Sequence, residues 1–365
     1  MKKENLHGLS LHEKKLRVMN KSKRDGVQDA KRLGTNPGDP LPMLEGHVSH
    51  GRFERVLKAG HFAVTTEIAP PDSADPEEVL TRASLFDGYV DAINATDGSG
   101  AHCHMSSLAV CAILTRAGYS PIFQISCRDR NRIAIQGDAL GAAALGVCNA
   151  LCLSGDDVSA GDHPEAKPVF DLDSISLTRT LRILRDESRF LSGRKLDLAP
   201  KLFIGSSINP FVPPIENRVD QLVKKIAAGA EYIQSQYCFD MPVLKELMKR
   251  AVDMGLTENC FILPGVGVLP SARTASWMRD NVPGVHIPDH IIKRLKDAKK
   301  PLREGRNICV ELMQEIKEIA GVSGVHVMAY RQEKWVGDVV KRSGVLGDRT
   351  PWSPDLADTT IRNIN

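Results

Sequence analysis

The amino-acid sequence predicts an α/β protein: a closed (β/α)8 barrel of the TIM type with a basic N-terminal extension. Three observations lead to it. Strand-like apolar runs recur eight times between residues 62 and 328, each followed by a helix-like stretch. Strict alternation of that kind calls for a parallel sheet. Eight units over about 290 residues suit a closed barrel. Finally, the GxGxxG fingerprint of an open dinucleotide-binding sheet does not follow the first strand-like run.

The elements follow in order. Residues 62–68 read as the first strand, stopped by Pro70-Pro71, and Asp75-Pro76 opens a helix. Residues 90–95 form the second strand, residues 96–100 a Gly-rich loop, and 104–117 a helix. The third strand is 121–126, with a helix at 132–145. The fourth is 149–153; a long loop over 156–170 precedes a helix at 174–190. The fifth is 201–208 with a helix at 215–228, and the sixth is 232–236 with a helix at 241–254. The seventh is 260–264; Pro264-Gly265-Val266-Gly267 after it reads as a tight turn, and a helix starts at Ser271. Helices at 289–298 and 307–320, a strand at 324–328 and a helix near Glu333 complete the series.

Residues 1–48 form a basic arm that includes Lys2, Lys3, Lys14, Lys15, Arg17, Lys21, Lys23 and Arg24. It has too few large apolar residues for a core of its own. It is expected to be flexible or to dock on a partner or second subunit. The barrel is expected over 49–342 and a tail over 343–365.

The net charge of +3 gives no argument for nucleic-acid or membrane binding. Aromatics make up 5% of the chain and are not interleaved with basic residues as single-strand binders require. The eight cysteines form no CxxC pair and sit in apolar runs, as buried thiols do. With no signal peptide or long apolar span, a reducing cytoplasm is expected. In His102-Cys103-His104 adjacent side chains point apart, and no second ligand cluster has metal-site spacing.

A barrel of this kind binds its ligand where the strands end at their carboxyl side. The stretch Leu151-Cys152-Leu153-Ser154-Gly155-Asp156 puts a carboxylate there. Asp156 is either a functional group or a solvated loop residue or helix cap. Glu67, Thr96 with Asp97, Gln124 with Ser126, Asn209, and Gln236 with Tyr237 occupy the matching ends of other strands. The set contains carboxylates and neutral hydrogen-bonding groups and no histidine. It suits a planar polar ligand and acid chemistry better than a Ser–His–Asp hydrolase or a metal hydrolase. Glu67 lies inside a strand-like run, so it must be paired or protonated. It reads either as a core carboxylate in a salt bridge or as a general acid. Lys224 and Lys225 read as a solvated helix face or, for Lys225, as a phosphate contact.

Several of these stretches, taken in order, resemble the methylenetetrahydrofolate reductase family, the flavin-dependent barrels of one-carbon metabolism. They are Thr66-Glu67-Ile68-Ala69-Pro70-Pro71, Ile125-Ser126-Cys127, Ser154-Gly155-Asp156, Ala228-Gly229-Ala230, Gln236-Tyr237-Cys238-Phe239-Asp240 and Pro264-Gly265. The resemblance spans roughly residues 52–340. It implies FAD at the carboxyl face, folate stacked on its ring, and reduction of a methylene to a methyl group by hydride from the flavin. Glu67 then falls on the general acid, and Asp156 on the carboxylate beside flavin and pterin. Gln236, with its neighbour Tyr237, falls on the folate contact. Thr96, Phe170, Asn209 and Lys225 fall on or near flavin contacts, and Gln124, Ser154 and Gly155 complete the expected cofactor shell.

Three positions depart from the family pattern. Ser154 stands where the family has Arg, Gln124 where it has His, and Asn209-Pro210 where it has His-Pro. The family's aromatic against nicotinamide has no counterpart near residues 264–270, which leaves direct NAD(P)H use open. The expected partner is a folate substrate, with no nucleic acid and no membrane. The expected assembly is a homo-oligomer, with a separate electron-transfer or methyltransferase partner as a further expectation. The alternatives are a methyl-folate methyltransferase barrel served by a corrinoid protein and a non-catalytic barrel subunit.

Overall fold

The computed structural model describes residues 45–282, 284–329 and 332–354. The basic arm, up to residue 44, therefore lies outside the described residues. Eight parallel strands form a closed barrel in sequence order, β1 pairing with β2 and also with β8. They are β1 Ala63–Ile68, β2 Ala92–Ala95, β3 Pro121–Ser126, β4 Asn149–Leu153, β5 Phe203–Ile208, β6 Tyr232–Tyr237, β7 Phe261–Gly267 and β8 Gly324–Met328.

A helix, α1 (Arg52–Lys58), precedes the barrel. The outer layer is α2 Pro76–Ser84, α3 Ser107–Arg116, α4 Arg132–Ala144, α5 Ser174–Asp186, α6 Arg218–Ala228, α7 Met241–Asp253, α8 Ala272–Asn281, α9 Asp289–Asp297, α10 Pro301–Lys317 and α11 Val336–Ser343. Local chemistry sets many of their starts. The side chains of Asp75, Ser106, Asn131, Asp173, Asp240 and Ser271 each accept a backbone N–H of the first helical turn.

Two hydrophobic bodies hold the fold. The larger lies between sheet and helices and includes Val64, Ile93, Phe123, Ile204 and Ile233. The smaller fills the amino-terminal end of the barrel: Phe53, Val56 and Leu57 of α1 pack against Ala63, Ala92, Ile122, Leu151, Phe203, Tyr232 and Leu263. Tyr232 stacks on Phe203 (ring centroids 5.0 Å apart), and Phe53 meets Tyr232 edge-on at 5.1 Å. The Tyr232 hydroxyl donates to the Ala150 carbonyl at 2.8 Å, satisfying its polar end in the core. The sequence reading did not anticipate α1, because its role as floor depends on residues from seven strands.

The sequence reading of residues 264–267 as a turn is corrected: they continue β7. Gly265 pairs with His326 and Gly267 with Met328. A Cβ on Gly265 would lie 2.4 Å from the Met328 methyl, and one on Gly267 2.4 Å from the Tyr237 ring. The glycines are there for close approach within a strand, not for a turn. Helix limits also shift. The helix expected at 174–190 stops at Asp186, followed by an antiparallel bridge between Arg189 and Lys195. The one expected from residue 307 begins at Pro301.

Beyond α11 the chain turns back onto the barrel. Arg349 pairs with Asp91 and donates to the Phe62 carbonyl. The Trp352 ring packs on Tyr119 and under the Arg52 guanidinium. Among the described residues no helix is long and apolar enough to cross a membrane.

Candidate functional site

Alternation along the strands sends every second side chain into the barrel. Above the aromatic floor lies a polar layer. Thr65 of β1, Asn94 of β2, Gln234 of β6 and His326 of β8 are buried and mutually bonded. Above that layer, at the carboxyl mouth, Glu67 follows Thr65, Thr96 follows Asn94, and Gln236 follows Gln234.

Glu67 is the inward carboxylate of the mouth. Its side chain is 16% exposed, and one oxygen lies 3.7 Å from Nε2 of His326. That is electrostatic contact rather than a hydrogen bond. His326 is thus the partner that sequence reasoning missed. The available signal was a histidine in an otherwise apolar eighth strand. At the end of β6, Tyr237 stacks on Phe239, with ring centroids 5.6 Å apart and planes 12° from parallel. Burial pushes the Tyr237 phenol well up, and the Glu67 charge adds to it. The Gln236 amide oxygen accepts the Tyr237 backbone N–H at 3.0 Å.

The other side of the mouth is formed by the loops after β2, β3 and β4. Asp156 is exposed, and its Oδ2 accepts the Gly100 N–H at 2.8 Å. The capping role falls to its neighbour Asp157, which accepts from Ser159 N. Ser154 is exposed and Gly155 adopts φ +93°. A Cβ on Gly155 would lie 2.8 Å from Cβ of Arg128. Arg128 is buried, donates to the Gly98 carbonyl at 2.9 Å and pairs with Asp129 at 2.7 Å. Its pKa is raised, first by the Asp129 hydrogen bond and further by the charges of Asp97 and Asp156. Arg128, from the β3–α4 loop, thus places a guanidinium beside the Ser154-Gly155 turn. The run Arg128-Asp129-Arg130 directly after a strand end was the signal for it.

Asp97 is occupied by structure. It pairs with Arg130 at 2.7 Å and accepts Ser126 N at 2.9 Å. Thr96 and Gln124 are buried at the mouth, and the Thr96 hydroxyl lies 3.5 Å from the Ile68 carbonyl. Asn209 uses both ends of its amide on backbone: it donates to Gly284 O at 3.0 Å and accepts Phe211 N at 3.0 Å. Phe170 is 43% exposed with φ +40°, and its N–H donates to Cys127 O. A phenylalanine held in the left-handed region with its ring in solvent is an uncommon arrangement.

Lys225 is not on a solvated face. It is 8% exposed while Lys224 is exposed, and its ammonium donates to the Ser207 carbonyl. Burial lowers its pKa to about 8, with the Asp173 charge pulling the other way. Among the described residues no group of three or more His, Cys, Asp or Glu could hold a metal ion.

Comparison with known proteins gives this geometry a family. A methylenetetrahydrofolate reductase family model matches residues 52–344. The chain belongs to the methylenetetrahydrofolate reductase family. The match begins with α1 and ends with α11, so the floor helix lies within the family unit. A curated relative, the probable methylenetetrahydrofolate reductase (NADPH) of Caenorhabditis elegans, is 21% identical over 321 residues. That alignment covers 83% of this chain and 46% of the worm protein, so the chain spans about half the length of that relative. Among solved structures, the chain shares its fold with an uncharacterized protein from Clostridium thermocellum that binds two copies of 5-methyl-5,6,7,8-tetrahydrofolic acid. The TM-score is 0.53 and the identity 13%, over 80% of this chain and 96% of that one.

Proposed function

We propose that this member of the methylenetetrahydrofolate reductase family interconverts 5,10-methylenetetrahydrofolate and 5-methyltetrahydrofolate with FAD as cofactor. The observation that carries the reading is Glu67: an inward carboxylate at the barrel mouth, beside a buried histidine, on a rim shared with Gln236 and Asp156.

The residues present fit FAD. Lys225 is a buried ammonium whose pKa burial has lowered, and a phosphate nearby would offset that desolvation. Phe170 offers an exposed ring, and Thr96 and Gln124 offer neutral polar groups to a planar heterocycle. When bound, FAD supplies the hydride chemistry.

The chain's own residues do the rest. Glu67 gives its proton to the ring nitrogen that leaves the methylene carbon. That C–N bond breaks, its electron pair stays on the nitrogen, and the carbon becomes an iminium able to accept hydride. Gln236 and Tyr237 hold the pterin at the mouth. Asp156 places negative charge on the opposite side, held there by Gly100 and faced by Arg128. The buried thiols of Cys127, Cys152 and Cys238, each with its pKa pushed up to about 12 by burial, fit work in a reducing cytoplasm.

The test is an anaerobic spectral titration of FAD-loaded protein with 5-methyltetrahydrofolate, NADH and NADPH in turn. Bleaching of the flavin band by the folate supports the reading. Protein that takes up no FAD, or whose flavin stays oxidised with folate, refutes it.

A further inference from the structure

We propose that residues 345–354, which lie beyond the family unit at 52–344, are a clasp that holds helix α1 in the amino-terminal end of the barrel, so that clasp and helix open together as one conformational unit. The inference is independent of the reaction at the mouth.

Helix α1 cannot hold itself. It has 7 residues, and Gly51 at its start offers no side-chain cap. A helix that short is unstable without tertiary support. Phe53, Val56 and Leu57 find that support in the floor. Arg52, its first residue, finds it in the clasp. The Arg52 guanidinium donates to the Gly118 carbonyl at 2.6 Å and lies 4.1 Å from the centre of the Trp352 ring. Burial lowers its pKa to about 10, and a desolvated cation gains most from an aromatic face. Gly118 has φ +85°, and a Cβ there would lie 2.7 Å from Cη2 of Trp352. The turn between α3 and β3 is therefore shaped as a seat for that ring. Tyr119 completes the seat, meeting Trp352 edge-on at 5.6 Å.

The second grip lies on the other side of α1. Arg349 bonds both oxygens of Asp91 and donates to the Phe62 carbonyl at 2.9 Å. Asp91 is buried and also accepts the Val64 N–H at 2.8 Å. A buried carboxylate that loses its cation is costly, so this pair resists parting. Val345 is buried, and its carbonyl accepts Lys317 Nζ at 3.0 Å, which fixes where the clasp leaves α11. Arg52 and Phe62 flank α1 in the chain, and the clasp holds both. Trp352 cannot leave its seat without freeing Arg52, nor Arg349 its site without freeing Phe62. What then remains to α1 is the floor packing and the bonds of Glu54 to the Val48 and Ser49 amides. Elements tied in this way open as one unit, at a free energy of their own.

The test is native-state hydrogen exchange on the full chain, with two clasp variants, Trp352→Leu and Arg349→Met. Lys245→Met, which breaks an exposed pair with Glu315 between α7 and α10, is the control. The amides of Ala59, Gly60 and His61 report on α1, because they bond the Arg55, Leu57 and Val56 carbonyls. The Arg349 amide, bonded to the Leu346 carbonyl, reports on the clasp. In the wild type these four amides are expected to share one opening free energy and one denaturant slope. Both clasp variants are expected to speed exchange at α1 by about tenfold or more, because loss of a contact made only in the closed form acts directly on the opening equilibrium. Amides of β5 and β6 are expected to stay within about twofold of wild type in every variant, as a sub-global opening leaves the rest of the barrel protected. The control is expected to leave α1 unchanged. Wild-type exchange at α1 in Trp352→Leu overturns the inference, as does equal acceleration at α1 and β5. Separate denaturant slopes for α1 and Arg349 in the wild type overturn it too, and that measurement decides the matter even if a variant does not fold.

Discussion

The Asp156 carboxylate and the Gly100 amide are joined by a 2.8 Å hydrogen bond, which ties the end of β4 to the loop after β2. That loop carries Gly98 at φ +55° and Gly100 at φ +66°, so its N–H groups can turn toward an anion. Arg128 holds the same loop from the other side through the Gly98 carbonyl. Asp156 therefore combines a geometric task with an electrostatic one, and two substitutions separate them. Asp156→Ala is expected to lower FAD affinity about tenfold while changing stability by under ~1 kcal/mol, as for other exposed polar contacts. Asp156→Asn, which keeps an acceptor for Gly100, is expected to restore FAD affinity but not the rate of folate oxidation. Fluorescence titration with FAD and thermal melts read the two effects, and equal affinity in all three proteins would leave Asp156 outside the cofactor site.

Glu67→Gln removes the transferable proton and keeps the side-chain shape. General acids contribute about 10²–10⁴-fold to their reactions. The variant is expected to bind FAD with wild-type affinity and to lose folate turnover by at least the lower of those factors. Rapid-reaction absorbance with 5-methyltetrahydrofolate measures it. Turnover within tenfold of wild type would make Glu67 a structural partner of His326.

Lys225 links the cofactor site to stability through pH. Unfolded, its ammonium keeps a proton up to about 10.5; folded, burial lowers that to about 8. Between those values the unfolded chain holds more protons, so wild-type stability rises as pH rises through the window. Below it the full cost of the buried charge is present, roughly 3 kcal/mol as an order of magnitude. Lys225→Met is expected to make the FAD-free protein more stable than wild type at pH 7, with the difference shrinking between pH 8 and 10.5. The same variant is expected to hold FAD more weakly. Denaturant melts across that pH range check the slope, and a pH-independent difference would show that Lys225 is not buried as a cation.

Tyr232 and Gly205 test the floor. A Cβ on Gly205 would lie 2.2 Å from Cζ of the Tyr232 ring. Gly205→Ala must displace a ring packed on Phe53 and Phe203, at a cost of about 1–3 kcal/mol. Tyr232→Phe gives up only the bond to the Ala150 carbonyl, about 1 kcal/mol. The order of the two melting temperatures, with Gly205→Ala the lower, is the expected outcome.

Much of this was legible in the chain. Alternating apolar runs repeat eight times because each strand must be covered by a helix, and that pattern is local. The carboxyl ends of those runs named the mouth residues Glu67, Gln124, Asp156 and Gln236. What local pattern missed has a common cause. Gly265 and Gly267 read as a turn because a strand glycine shows its purpose only beside Met328 and Tyr237. The bond from the Asn209 amide to Gly284, on a loop 75 residues away, has no local signal either. Lys225 read either as half of a solvated pair or as a phosphate contact, because its burial depends on which helix face meets β5.

By itself, the sequence determined the period, the number of strands and the identity of the groups at the mouth, since each follows from chemistry within a few residues. Only the tertiary structure decided what those groups face. Barrel closure brings β8 beside β1, so Thr65 bonds His326 across 261 positions. The same closure puts His326 beside Glu67, brings Arg128 to the loop that Asp156 holds, and lets α1 seal the barrel below them. Each of these contacts depends on the ring of strands closing in one register, which no short-range pattern encodes.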